Sequence, residues 1–198
     1  GLAPDVAGGC YSSADGHANP LNLLRGLHKG FLSLGGTIES GSPVTSIEPD
    51  LSSFKVKTRV RDYQGDKLIL AAGLGTQDLA AMIDMDIPVH ADRGQVLVTE
   101  KLKPFLSMPL SKVRQTLEGS VQIGDSHEAS GLDVSTSAHI LNKISARAVR
   151  MFPHLGNARI IRVWSAIRIM TPDGSPLYHQ SEKYPGATYA VSHSGVTL

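Results

Sequence analysis

Arg168 is the residue of this chain whose type and setting most plainly carry chemistry. It lies near the end of the run RIIRVWSAIRIM, in which Ile161, Val163, Ser165, Ile167 and Ile169 recur at every second position. That is the pattern of a strand with one buried face. A guanidinium presents a planar fork that can hold both oxygens of a carboxylate, and it stays charged when partly desolvated. The carboxylate can belong to a ligand, or to an Asp or Glu across the sheet. Arg162, on the same parity of the run, is the competing basic residue. Pro172-Asp173-Gly174 follows and reads as a turn, with Pro fixing φ and Gly able to take positive φ. A second strand, Thr188–Val191, leads into His193-Ser194-Gly195-Val196-Thr197-Leu198, where His193 has the type of an acid/base or of a polar pocket residue.

A second candidate locus is the backbone around Ala72-Gly73-Leu74-Gly75. The preceding Leu68 to Ala72 is an unbroken apolar run, as expected of a parallel strand covered on both faces. A glycine and then a short helix, with Leu79, Met82 and Ile83 turned inward, put backbone N–H groups at the strand's carboxyl end. Open α/β sheets bind ligands there, although a glycine after a strand also serves as an ordinary turn.

Other chemistries find little support. The eight His residues form no His-Glu-x-x-His and no close Cys/His set, so no metal site is expected. Gly124-Asp125-Ser126-His127-Glu128 contains Ser, His and Asp, but adjacency in sequence is not a triad, and the Gly-x-Ser-x-Gly elbow is absent. With 19 basic and 18 acidic residues and no long run of either sign, a nucleic-acid surface is not expected. The longest apolar stretch is far short of the ~20 residues that span a bilayer. The single Cys10 excludes an internal disulfide and fits a reducing compartment.

The elements that must position these residues follow from local patterns. Asn19 as N-cap and Pro20 at the first helical position predict a helix carrying Leu24, Leu27, Phe31 and Leu34, stopped by Gly35-Gly36. Strand patterns cover Thr37–Glu39, Val44–Ile47 and Phe54–Val60, and Gln64-Gly65-Asp66 turns the chain into the strand of Lys67 to Ala72. Arg93-Gly94-Gln95 introduces a strand over Val96–Thr99. Lys112–Leu117 and Ser120–Gly124 read as a hairpin with Glu118-Gly119 at its tip. A helix over about Ser137–Phe152 has Ile140, Ile144, Ala148 and Met151 on one face, and Pro153 closes it.

Several of these stretches resemble one known family in a collinear order. Trp164 to Pro176 and the ending SHSGVTL resemble the C-terminal part of the D-amino-acid oxidase-like flavoenzymes, which include glycine oxidase, sarcosine oxidase and the amino-acid or opine dehydrogenases. DGHANPLNLLRGLHKGFLSLGG, LILAAG, PVHADRGQVLVTE and RQTLEGSVQIGDSHE resemble further family segments. The family's Gly-x-Gly-x-x-Gly cradle and its final helix are absent from the sequence, and the chain starts without Met. A piece cut at both ends is therefore expected.

The resemblance implies a mixed α/β fold: part of an FAD-binding α/β domain and an antiparallel-sheet substrate domain. Residues 1–89 and 164–198 would belong to the former and 90–163 to the latter. It implies FAD as cofactor, held through Val44, Ala72, Gly73, Gly94, Gln95, His193, Ser194, Gly195, Val196 and Thr197. It implies Arg168 as the holder of the substrate's carboxylate and a small amino acid or amine as substrate. No catalytic acid/base is assigned. The expected activity is oxidation of the substrate's C–N bond by hydride transfer to flavin in the intact enzyme, with the chain alone inactive and binding FAD weakly or not at all. A non-catalytic subunit or binding module that does not hold flavin is the alternative. A partner subunit or self-association, and a cytoplasmic location or one peripheral to a membrane through a partner, complete the expectations.

Overall fold

The computed structural model describes residues 2–50 and 52–194. The chain divides into two compact units, one of residues 1–34 and 93–167, the other of 35–92 and 168–198.

In the first unit, helix α1 (Pro20–Ser33) starts as its sequence dictates. The Asn19 side chain accepts from the N–H groups of Leu21 and Asn22, and Pro20 occupies the position whose N–H would be unpaired in any case. Gly35, at φ +86°, ends it. None of its residues is buried, so Leu24, Leu27 and Phe31 form an exposed apolar face. The sequence reading placed residues 1–34 with 35–89, whereas the structure groups them with 93–167. Two contacts account for this: the Ala3 N–H donates to the Met151 carbonyl (2.9 Å) and Arg114 donates to the Ala18 carbonyl (3.3 Å).

A four-stranded sheet in the order β6-β7-β5-β8 lies against helix α3 (Ala138–Met151). Its strands are β5 (His90–Lys101), β6 (Val113–Gln115), β7 (Ser120–Ile123) and β8 (Ile160–Met170); β5 and β8 each run across the boundary between the units. Leu97, Val113, Val121 and Ile123 point from alternate strand positions toward Ile144 and Ala148 of α3, forming one dry core. Each such side chain contributes roughly 1.5–3 kcal/mol on burial. The β6–β7 hairpin turns through Leu117-Glu118-Gly119, where the Gly119 N–H donates to the Thr116 carbonyl (3.0 Å). Gly119 has φ +99°, and a Cβ there would stand 2.7 Å from the Leu102 carbonyl oxygen, so only glycine fits.

The second unit holds two three-stranded sheets. The antiparallel β1-β2-β3 consists of Val44–Pro49, Phe54–Thr58 and Asp62–Gly65. The other, β4-β10-β9, pairs β4 (Leu68–Leu70) parallel to β10 (Ala187–Val191), with β9 (Leu177–Gln180) antiparallel on the far side. A 3-10 turn, Gly73–Gly75, and helix α2 (Thr76–Ala81) follow β4 and bring Ala80 and Ile83 into a core with Ile47, Phe54, Leu70, Ala187 and Val191.

Three sequence expectations need correction. Thr37–Glu39 forms no strand. The strand at 68–70 is at the edge of its sheet, with Ile69 70% exposed, so its apolar run does not reflect cover on both faces. The start of β8 is open too: Ile160, Ile161 and Val163 are exposed, where alternation predicted one buried face. Among the described residues no helix is long and apolar enough to cross a membrane.

Candidate functional site

Within the second unit the end of β8 gathers several of the expected site residues around Ile169. The Ser194 N–H donates to the Ile169 carbonyl (2.7 Å), with Ser194 itself at φ +55°. Gly73 takes φ +63° directly after β4, and a Cβ added there would meet Ile169 Cδ1 at 3.4 Å. The turn after β4 and the 193–194 segment thus both lie against the residue next to Arg168. Sequence separation alone does not reveal this.

The Pro172-Asp173-Gly174 turn forms as expected. Gly174 has φ +77°, and Asp173 Oδ1 accepts from the Ser175 N–H (3.0 Å). Just before it, buried Thr171 meets His193: the Thr171 N–H donates to Nδ1 (3.2 Å), and Thr171 Oγ1 lies 2.7 Å from the same atom. Thr171 thus engages Nδ1 of His193 through both its backbone N–H and its hydroxyl. Thr171 also fixes its own turn, with Oγ1 donating to the Ser175 carbonyl (2.8 Å).

Arg168 projects from this strand end with a side chain 19% exposed, and its Nη1 donates to Asp92 Oδ2 at 3.2 Å. Asp92 lies on β5, the strand beside β8, and its side chain is 13% exposed. Sequence reading missed Asp92 as a partner. Its only signal was its place just before the Arg93-Gly94-Gln95 motif.

At Ala72 and Gly73, where the sequence predicts a backbone approach to a cofactor, the turn after β4 is held by the protein itself. The Ala72 N–H is taken by buried Thr76 Oγ1 (2.9 Å), which holds the turn, and the positive φ of Gly73 sets its peptide at the carboxyl end of β4. Val44 opens β1 and borders a separate cleft of about 470 Å³ with Arg61 and Tyr63. The Arg61 guanidinium stacks over the Tyr63 ring there, 4.7 Å from its centroid.

Gly94 and Gln95 belong to the other unit, where the Gln95 side chain is bonded within the protein. It is fully buried: its amide nitrogen donates to Glu128 (2.8 and 3.0 Å) and to Ser137 Oγ (3.3 Å), and its oxygen accepts from the Ser137 N–H (2.9 Å). Arg93 joins the same cluster through Glu128 (2.8 Å), Ser135 (3.2 Å) and Asp133. Burial pushes the Glu128 carboxyl up, but hydrogen bonds from Arg93, Gln95 and Ser126 outweigh this and hold it below its usual value. The cluster braces the 126–137 segment against β5, so the hydrogen-bonding capacity of the Gln95 side chain is spent on protein. Gly195, Val196 and Thr197 lie outside the described residues. No group of acidic, His or Cys residues suited to a metal occurs among the described residues.

Comparison with known proteins agrees with this architecture. An opine oxidase subunit of Agrobacterium tumefaciens (strain Ach5) is 40% identical over 198 residues, all of this chain and 53% of the relative. The corresponding opine oxidase subunit of Rhizobium meliloti is 41% identical over the same share of each. The chain thus spans about half the length of the curated relatives it matches. Among solved structures, L-proline dehydrogenase from P. horikoshii superposes with a TM-score of 0.83 at 20% identity, over 90% of this chain and 51% of that one, which speaks to the fold. The family model described as FAD dependent oxidoreductase (DAO) matches residues 1–198, and the chain belongs to that family.

Proposed function

We propose that the chain works in a flavoenzyme that oxidises the C–N bond of an amino acid or secondary amine, and that Arg168 holds the substrate's carboxylate. The observation that carries this reading is the guanidinium of Arg168 at the end of β8, largely shielded from water and oriented by Asp92. A guanidinium already held in place loses little freedom on binding an anion, and its attraction is stronger where water is partly excluded.

The reaction converts C–N to C=N with loss of a hydride from Cα and a proton from nitrogen. Bound FAD supplies the acceptor for that hydride. The residues of this chain contribute orientation: Arg168 fixes the carboxylate, and thereby the direction in which the α-hydrogen points. Ala72 and Gly73 would approach the cofactor through backbone, with His193 and Ser194 lining the same place as polar neighbours. Because Nδ1 of His193 is engaged by Thr171, a lining role is favoured over proton transfer through that nitrogen. By the resemblance, the N–H groups of Gly195, Val196 and Thr197 would stabilise negative charge on the reduced ring.

The chain on its own should bind FAD weakly or not at all, since its sequence has no Gly-x-Gly-x-x-Gly for the pyrophosphate. A partner protein is part of the proposal, motivated by relatives that are named as one subunit of an oxidase. A second reading is a subunit or binding module that holds no flavin, and one observation favours it: Gln95 is committed to a structural cluster instead of a ligand. The visible spectrum of the intact purified enzyme, with a screen of amino acids and secondary amines for flavin reduction, decides between the two. Bound flavin reduced by such an amine supports the oxidoreductase. An intact protein without flavin supports the second reading.

A further inference from the structure

The 193–194 segment is tied at two points to the strand end that carries Arg168. Ser194, held at φ +55°, donates its N–H to the Ile169 carbonyl (2.7 Å). A residue other than glycine kept in the left-handed region is strained, and such positions persist where surrounding bonds fix them, commonly at functional sites. The second tie is Thr171, which engages Nδ1 of His193 through its backbone N–H (3.2 Å) and its hydroxyl oxygen (2.7 Å).

Thr171 is buried, and the turn that follows keeps it in place. Its Oγ1 donates to the Ser175 carbonyl (2.8 Å), and its own carbonyl accepts from the Gly174 N–H (3.4 Å). Asp173 Oδ1 closes the same turn by accepting from the Ser175 N–H (3.0 Å). Without the Thr171 hydroxyl the turn would still have the Gly174 and Asp173 bonds, so the loss falls chiefly on His193. Arg168 lies shortly before Thr171 in the chain, and Gly195, Val196 and Thr197 directly follow Ser194. In the reaction proposed above, Arg168 holds the carboxylate and the segment after Ser194 serves the flavin ring. Their spacing therefore decides how the α-hydrogen meets the cofactor, and a misplacement of ~1 Å can cost on the order of 100-fold in rate.

We propose that Thr171 is a positioning residue of this reaction: its hydroxyl seats the imidazole of His193 and so sets the 193–194 segment against the strand end of Arg168. Thr171 acts through His193 and not on the substrate. The inference rests on the flavoenzyme reading and deepens it.

The test uses the intact flavin-loaded enzyme. Thr171→Val keeps the shape and the backbone N–H and removes the hydroxyl; it should lower kcat roughly 3- to 10-fold, the range set by one neutral hydrogen bond. KM for a carboxylate-bearing amine should stay within about twofold, because Arg168 is untouched. Thr171→Ser, which keeps the hydroxyl, should restore kcat to within about twofold of the parent. His193→Leu should lower kcat at least as much as Thr171→Val, and the two changes together should lower it no further than His193→Leu alone. A structural hydroxyl would instead cost thermal stability and leave kcat unchanged, which overturns the proposal. So does an unchanged kcat in His193→Leu, a loss in Thr171→Val that persists in full beside His193→Leu, or one that Thr171→Ser fails to restore. The contact is also read without turnover, by nitrogen NMR of the histidine-labelled protein, with the His193 signal assigned by its disappearance in His193→Leu. The Nδ1 resonance should move in Thr171→Val and stay in Thr171→Ser. An unmoved resonance in Thr171→Val overturns the seating of His193 whether or not flavin is bound, whereas an intact protein without flavin overturns the flavoenzyme reading and the positioning role with it.

Discussion

Arg168 and Asp92 form an ion pair, Nη1 to Oδ2 at 3.2 Å, between the neighbouring strands β8 and β5. Both side chains are mostly shielded from water, so removing either leaves the other charge partly desolvated. Asp92→Asn keeps the shape and removes the charge. It should lower stability by about 1–3 kcal/mol, in the range for a partly buried charged hydrogen bond, measured by urea unfolding. In the intact enzyme the same change should raise KM for carboxylate substrates severalfold, because Arg168 loses the group that orients it.

The Gln95–Glu128 contact should behave as pure structure. Gln95→Leu removes the amide that serves Glu128 and Ser137 and leaves a mostly buried carboxylate short of donors. A loss of about 2–4 kcal/mol is expected, with no specific effect on flavin once the protein is folded. Loss of flavin from a variant of unchanged stability would return Gln95 to the cofactor site.

The same cluster sets an acid limb. The Glu128 carboxyl is held below its usual value in the folded chain, so the folded state binds its proton less readily than the unfolded one. Its contribution is present above the unfolded value near 4.5 and disappears as pH falls through the lower folded value. Asp133, bonded by Ser135 and by Arg93, acts in the same direction. Stability measured from neutral pH downward should therefore drop below about pH 4.5, and Glu128→Gln should flatten that part of the curve.

Gly119→Ala tests the β6–β7 hairpin. The added Cβ would meet a backbone carbonyl, in a conformation an L-residue adopts only with strain. A destabilisation of at least about 2 kcal/mol is expected, whereas Gly131→Ala, with open space around its Cβ, should cost only its backbone strain.

The exposed apolar face of α1 should make the isolated chain self-associate as concentration rises. Leu24→Glu with Leu27→Glu should shift light scattering toward the monomer.

Much of this organisation was legible in local sequence. Asn19-Pro20 announced α1, Glu118-Gly119 the hairpin, and the spacing of Ile144 and Ala148 the buried face of α3, because each signal is contained within a few residues. Strands β3 and β9 were not legible: DYQG and LYHQ lack an apolar alternation and gain their extended form from pairing with β2 and β10. Asp92 and Gln95 depend on longer connections. Asp92 finds Arg168 through the neighbouring of β5 and β8, and Gln95 finds Glu128 across 33 residues of chain. The side-chain partners of Gln95 are therefore not legible in a dipeptide motif, and Arg168 was marked as a site candidate without its partner.

The central claim is that Arg168 receives the substrate's carboxylate. It is tested most directly by steady-state kinetics of Arg168→Lys and Arg168→Ala in the intact flavin-loaded enzyme, comparing a carboxylate-bearing amine with its decarboxylated counterpart. Losing a partly buried charged partner costs on the order of 2–5 kcal/mol. KM for the carboxylate substrate should therefore rise by tens-fold or more, with flavin content retained, a stability loss no larger than that of Asp92→Asn for Arg168→Lys, and the decarboxylated amine little affected. An unchanged KM in Arg168→Ala, or an equal loss for both amines, would contradict the account and leave Arg168 as the structural partner of Asp92.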